Sequence, residues 1–220
     1  MSVKLAVFDC DGTLVDGQAA ICAAMEGAFA AAGMEPPARH AIRRIVGLSL
    51  PQAVALLAPD AEPDRQDAVV EAYKQGYRAT REGGLLHEPL YDGMADLLRR
   101  LHADGWLLAV ATGKSDRGLN ACLATHAIAD LFVSLQTADR HPSKPDPAML
   151  DAALGDALAE ADNAVMVGDT AYDMAMARAA GVRAIGVAWG YHEPSELLEA
   201  GAQGVAGTMQ ELEDMINAGA

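Results

Sequence analysis

Leu5-Ala6-Val7-Phe8-Asp9-Cys10-Asp11-Gly12-Thr13 is the stretch on which the reading of this chain turns. It opens with a short apolar run, the pattern of a parallel strand buried on both faces. Directly behind come two carboxylates, a glycine and a hydroxyl. In open α/β sheets, ligands collect beyond the carboxyl ends of the strands. If the chain stays extended, Asp9 and Asp11 share one face and Cys10 takes the other. Two carboxylates crowded at a strand tip repel unless a cation joins them, so the stretch suits a divalent metal better than it suits stability. An EF-hand loop is excluded, because the positions that loop fills with Gly and Glu hold Leu14 and Ala20. Taken alone, the stretch also reads as an acidic Asp-Gly turn.

Downstream of Asp16 the hydrophobic pattern changes from strand to helix. The stretch from Gly17 to about Gly33 is Ala-rich, with Ile21, Met25, Ala28 and Phe29 spaced for one helical face. Pro36-Pro37 breaks that helix. A second is expected to run to Val46, with Gly47 as its left-handed C-terminal residue. Leu50 to Leu57 and Asp64 to Arg81 give two more. With no strand candidate in between, residues 16–85 read as a helical bundle inserted into something else.

Beyond it, helices and strands alternate. Met94, Leu97, Leu98 and Leu101 mark a helix with Asp92 as its N-cap. Strands are expected at 106–111, 131–135, 164–167 and 183–187. Between them, a short helix is expected around Leu119 to Ala124. Another opens at Asp146-Pro147 and carries Leu150, Leu154 and Leu158, and a third runs from about Tyr172 to Gly181. Thr208 and Glu211 have the spacing of a capping box at the head of a last helix. This alternation predicts an α/β fold: a three-layer, Rossmann-like core with a mostly parallel sheet, interrupted by an α-helical insertion.

Composition narrows the partners. Of 220 residues, 51% are hydrophobic, enough for a substantial core, but only 5% are aromatic, so packing rests on Ala, Leu, Val and Met. The 31 acidic residues against 16 basic ones give a net charge of −15. Nucleic acid and anionic membranes demand a basic face, so neither is an expected partner. An anionic small molecule stays open, provided a local cation receives it. Cys10, Cys22 and Cys122 lack metal-ligand spacing and point to reduced thiols in the cytoplasm; Cys10 reads as a small core-facing residue. No apolar run reaches the length of a membrane span. Met1-Ser2-Val3-Lys4 is expected to lead straight into the first strand, without a signal peptide.

The residues just past each expected strand form a consistent set. The first strand delivers Asp9, Asp11, Gly12 and Thr13, and the second Thr112-Gly113-Lys114-Ser115. The third is followed by a loop carrying Lys144 among prolines, and the fourth by Gly168-Asp169-Thr170 and then Asp173. Four aspartates against Lys144 leave −3 if all ionise. Two unit charges ~4 Å apart cost about 4 kcal/mol at an effective dielectric near 20. A hard divalent ion is the natural remedy, and oxygen ligands without His or Cys favour Mg²⁺ over Zn²⁺. Metal, lysine, hydroxyl and glycine-flanked amides together make a phosphate cradle. With no Ser-His pair or reactive Cys in view, an aspartate is the available nucleophile, which implies an aspartyl-phosphate. Each piece also has a plainer reading. Lys144 alone is a solvated loop residue, and Asp169 and Asp173 alone are helix caps. The tail of a P-loop at Thr112–Ser115 would need glycine where Leu108 stands.

In order along the chain, Asp9-Cys10-Asp11-Gly12-Thr13, Thr112-Gly113, Lys144-Pro145 and Gly168-Asp169 with Asp173 resemble the four motifs of the haloacid dehalogenase superfamily. The likeness is to its phosphatase branch, with a helical cap inserted after the first strand. It implies a catalytic core of residues 1–15 and 86–220 and a cap of residues 16–85. Asp9 would attack phosphorus while touching Mg²⁺. Asp11 would serve as acid and then base, its backbone carbonyl on the metal. Thr112, Gly113 and Gly12 would hold phosphoryl oxygens, Lys144 would neutralise Asp9 and the phosphate, and Asp169 and Asp173 would complete the metal site. Asp11 argues for phosphate chemistry over dehalogenation, since halide departure needs no acid there. Arg43–Ser49 and Val187–Tyr191 resemble loops of phosphoglycolate phosphatase-like proteins, which implies Arg43 or Arg44, beside Gly47, at a substrate carboxylate. The expected protein is a Mg²⁺-dependent phosphatase of a small phosphorylated metabolite, as a monomer or homodimer. A phosphomutase of the β-phosphoglucomutase type and a catalytically silent regulatory or binding protein are the alternatives.

Overall fold

The computed structural model describes residues 3–218; Met1 and Ser2, expected to lead into the first strand, lie outside the described residues. Six strands form one parallel sheet: β1 (Lys4–Phe8), β2 (Trp106–Thr112), β3 (Phe132–Thr137), β4 (Ala164–Gly168), β5 (Arg183–Val187) and β6 (Val205–Ala206). Their spatial order is β3-β2-β1-β4-β5-β6. The chain lays β2 and β3 outward on one side of β1, then returns to build β4 to β6 on the other. Strand order therefore reverses between β1 and β4, where Phe8 stands opposite Val167.

Side chains alternate along a strand, so each strand feeds two layers. Ala6, Phe8, Val110 and Val167 pack with α5 (Met94–Ala103), α6 (Asp116–Thr125) and α10 (Met209–Asn217). Leu5, Val7, Ala109 and Met166 pack against α7 (Ala148–Ala157), α8 (Ala171–Ala179) and α9 (Pro194–Ala200). Cover on both faces is why the strands read as unbroken apolar runs. Cys10 is fully buried in the first of these layers.

Between β1 and α5 come α1 (Gln18–Ala31), α2 (Arg39–Arg44), α3 (Leu50–Leu57) and α4 (Pro63–Glu82). These helices bury their own apolar cluster, with Ile21, Met25, Phe29, Ile42, Val54 and Val69 at its heart. The outgoing and returning strands of chain pair with each other. Val15 bridges Leu90 in antiparallel fashion, Asp16 N–H donates to the Pro89 carbonyl at 2.8 Å, and Tyr91 N–H donates to Leu14 at 3.1 Å. Among the described residues, no helix is long and apolar enough to cross a membrane.

Several local expectations are corrected. The N-cap of α5 is Gly93, left-handed at φ +83°, and not Asp92 one residue upstream. α2 ends at Arg44 and tight turns follow, so Gly47, at φ +99°, lies past the helix and is not its immediate C-terminal residue. Leu158 ends α7 in a left-handed conformation and is 85% exposed, so it is no part of the apolar face. Pro147 is the N-cap of α7, just outside its first turn. At Thr208 the hydroxyl does accept from Glu211 N–H, but the Glu211 carboxylate reaches back to Gly207, one residue short of a closed box. α9 and β6 were too short to give a periodic signal.

Candidate active site

Where strand order reverses, the ends of β1 and β4 place Asp9 beside Asp169. Asp173, one helical turn into α8, completes a trio whose nearest carboxylate oxygens lie within 4.8 Å of one another, all buried. Each member is held differently. Asp169 accepts from Thr13 Oγ1 at 2.8 Å and from the Tyr191 amide at 2.9 Å. Gly12, at φ +86°, admits it closely: a β-carbon there would stand 2.2 Å from Asp169 Oδ2. Asp173 closes a capping box with Thr170, accepting from its amide at 3.0 Å and its hydroxyl at 2.7 Å. The plain capping role and membership of the acidic site thus fall on one side chain.

Asp9 is the exception. Lys144 Nζ lies 2.9 Å from Asp9 Oδ1 and 2.6 Å from Asp173 Oδ1, with no exposure of the lysine. The contact with Asp9 lacks hydrogen-bond alignment, and neither Asp9 oxygen has a hydrogen-bond partner among the described residues. Burial pushes Asp9 up to about 6, against the pull of Lys144. Burial, then Asp9 and Asp173, hold Asp169 well above the usual carboxylate range. Burial alone would lower Lys144, but Asp173 and Asp9 outweigh it and hold the ammonium above its ordinary value. Three carboxylates against one ammonium call for a further positive charge, and an all-oxygen donor set with free Asp9 lone pairs fits a hard divalent cation.

Asp11 is not a member of the trio, although it lines the same cavity as Asp9. The chain turns just after Cys10, with Leu14 and Val15 N–H both donating to the Cys10 carbonyl. The Asp11 carboxylate instead accepts from Lys114 Nζ at 2.8 Å, and the same ammonium donates to Glu88 at 2.7 Å. Burial raises Asp11 and Lys114 works against it. Burial alone would raise Glu88, but Lys114 holds it below its ordinary value. The Gly12 amide donates to the Val15 carbonyl at 2.9 Å.

A cavity of about 720 Å³ opens over these groups. Asp9, Asp11, Thr112, Gly113 and Lys114 line one end of it. Ile21, Met25, Leu48, Tyr73, Tyr77 and Arg81 line the helical side. The two sides touch: a β-carbon on Gly113 would stand 2.5 Å from the Leu48 carbonyl oxygen. Gly47 also lines the cavity, whereas Arg43 and Arg44 do not. Arg44 is spent on an ion pair with Glu196 at 2.5 Å, and its carbonyl accepts from Tyr172, so it ties α2 to the sheet layer. Sequence reasoning missed Glu88, Tyr77 and Arg81, gave Tyr191 no role beyond its loop's resemblance, and left the charge of Lys114 uncounted although it stands next to Thr112-Gly113.

A parallel sheet covered on both faces, with carboxylates gathered where its strand order reverses, is that of a Rossmann-like α/β enzyme. More narrowly, the chain belongs to the haloacid dehalogenase-like hydrolase family, whose family model matches residues 6–187. It is 37% identical over 213 residues to the probable phosphatase IndB of Dickeya dadantii (strain 3937), covering 94% of this chain and 91% of that protein. It is 30% identical to a phosphoglycolate phosphatase of Pseudomonas fluorescens (strain Pf0-1), over 89% of this chain and 73% of that one. The crystal structure of a predicted phosphatase from Clostridium acetobutylicum superposes with a TM-score of 0.89 at 24% identity, covering 99% of this chain and 100% of that one, which is a likeness of fold.

Proposed function

We propose that this protein is a Mg²⁺-dependent phosphatase of small phosphate monoesters that works through an aspartyl-phosphate. In this reading, residues 16–85 act as a cap over a core of residues 1–15 and 86–220. The observation that carries it is Asp9: buried at the end of β1, facing the cavity, with both oxygens free of hydrogen-bond partners. Relatives named phosphatase and phosphoglycolate phosphatase support it. An Asp9 oxygen attacks phosphorus, and the bond to the leaving oxygen breaks as Asp11 gives that oxygen a proton. Water then attacks phosphorus, Asp11 takes its proton, and the bond to Asp9 breaks to free phosphate. Thr112 and Gly113 hold phosphoryl oxygens, and Lys144 keeps Asp9 ionised. Asp9, Asp169 and Asp173 would hold Mg²⁺, with the Asp11 carbonyl; when bound, the ion supplies positive charge where the transition state becomes more negative.

The favoured substrate class carries a second anionic group, as phosphoglycolate does. The residue for it is Arg81, which takes the place expected of Arg43 or Arg44. Lys74, Arg78 and Arg117 each lie within ion-pair distance of a glutamate, whereas Arg81 is in no ion pair among the described residues. Its guanidinium rests 5.6 Å from the Tyr77 ring centroid at the cavity wall. The test is phosphate release from p-nitrophenyl phosphate and phosphoglycolate with Mg²⁺. Turnover should be abolished by chelation and fall by about 10⁴-fold or more in Asp9→Asn. Release by Asp9→Asn at the wild-type rate would end this reading.

A further inference from the structure

Lys114, Glu88 and Tyr77 come from three separate parts of the chain and form one hydrogen-bonded line that ends on Asp11. Lys114 lies in the loop between β2 and α6, Glu88 on the return from the helical segment, and Tyr77 on α4. Glu88 Oε1 accepts from Tyr77 Oη at 2.7 Å and from Lys114 Nζ at 2.7 Å, and Lys114 donates onward to Asp11 Oδ1 at 2.8 Å. The side chains of Lys114, Glu88 and Asp11 are 8%, 7% and 11% exposed, so water contributes little to holding them. The backbone of Glu88 is fixed as well, by a 2.8 Å bond between its carbonyl and His126 Nε2 at the end of α6. Lys114 Nζ also sits 5.6 Å from the Tyr77 ring centroid, a second tie between the ammonium and α4.

Each partner of the Lys114 ammonium among the described residues is thus either the acid–base group or something that leads to the helical segment. If α4 moved off, Glu88 would lose the Tyr77 hydroxyl and Lys114 would lose the ring beneath it. The lysine would then be free to draw Asp11 to a different position. We propose that Tyr77 is a positioning residue for Asp11, acting through Glu88 and Lys114, so that docking of α4 and correct placement of the acid–base carboxylate are one event. This rests on the phosphatase reading, in which Asp11 protonates the leaving oxygen and later activates water. Misplacement of a catalytic group by ~1 Å can cost about 10²-fold in rate.

Three variants probe the line: Tyr77→Phe, which keeps the ring; Glu88→Gln, which keeps the shape; and Lys114→Met. Lys114→Met leaves two buried carboxylates facing each other, so the Lys114→Met/Glu88→Gln double variant, which removes one charge of each sign, guards against loss of the fold. The substrates are glycerol 2-phosphate, whose alkoxide needs a proton to leave, and p-nitrophenyl phosphate, whose phenolate does not. On glycerol 2-phosphate, the Lys114 variants should lose about 100-fold in kcat, and Tyr77→Phe and Glu88→Gln about tenfold, with KM changing far less. On p-nitrophenyl phosphate, the variants should show a rapid burst of one equivalent of nitrophenolate followed by slow turnover, because attack by Asp9 survives while the Asp11-assisted water step slows. Equal losses on both esters without a burst, or a wild-type Tyr77→Phe, would overturn the proposal. Should the wild-type protein cleave neither ester, the phosphatase reading fails by itself. Amide hydrogen exchange over residues 63–82 then judges the line: non-additive effects in Tyr77→Phe/Glu88→Gln support it, and additive ones refute it.

Discussion

The strand ends and the helical segment face each other across one cavity, yet they are built differently. At the strand ends, each carboxylate other than Asp9 is held by short bonds from its own loop or a neighbouring one: Asp169 by Thr13 and Tyr191, Asp173 by Thr170. All three acids of the trio have no exposure. The helical side offers an apolar wall and long cations on α4, and two of these, Lys74 and Arg78, are exposed and paired along their own helix. Such pairs contribute at most ~1 kcal/mol each. A buried acidic floor therefore meets a wall that can be altered at little cost, and the phosphatase reading proposed above would put chemistry on the sheet and recognition on the helices.

The sharpest way to break that contrast is Lys144→Met. The substitution leaves three buried carboxylates without their ammonium, and removing one partner from a buried ion pair costs about 3–5 kcal/mol. Urea unfolding of the metal-free protein should show a loss of that size, with phosphatase activity gone. A loss below ~1 kcal/mol would mean that the floor is far more solvated than its burial implies. A change on the wall should be milder and selective. Arg81→Gln should raise KM for phosphoglycolate about tenfold, the value of one charge-assisted hydrogen bond, while leaving KM for p-nitrophenyl phosphate near wild type. Equal effects on both substrates would remove Arg81 from recognition.

The same contrast decides what could be read from sequence. Asp9, Thr112 and Asp169 sit at the ends of strands, or one residue beyond, that announce themselves as apolar runs, and the sheet's topology brings such ends together whatever else the chain does. Asp173 follows within one helical turn. By comparison, Lys114 lies 103 positions from Asp11 and 26 from Glu88, and no local pattern relates them. The facing of Arg81 depends on how α4 lies across the sheet, which periodicity cannot supply. That Arg43 and Arg44 lie off the cavity was hidden for a related reason. The helix carrying them ends earlier than its apolar pattern suggested, and Arg44 turns to Glu196 on α9, a helix too short to give a periodic signal.

The smallest expected effect tests the floor through protons. Asp9 sits at about 6 and Asp169 and Asp11 are also raised, so the native state binds protons at these groups more tightly than the unfolded chain does. For raised carboxylates, stability is lost as pH climbs through the folded values and regained as it falls toward the unfolded ones. His192, lowered by burial, opposes this below its ordinary pKa, one group against three. In metal-free protein, the Tm should therefore rise by about 2–4 °C between pH 7.5 and pH 5.5. Saturating Mg²⁺ should raise the Tm most at pH 7.5 and so flatten or invert the slope, because the ion stabilises the charged carboxylates that protons otherwise neutralise. The wall adds little to this window. Glu26, half-buried, and Glu82, exposed, are its lowered carboxylates, held down by Arg39 and Arg78, so they lose charge only in more acidic solution. A Tm that falls on acidification equally with and without Mg²⁺ would show that the trio carries no unrelieved charge, and the metal assignment would go with it.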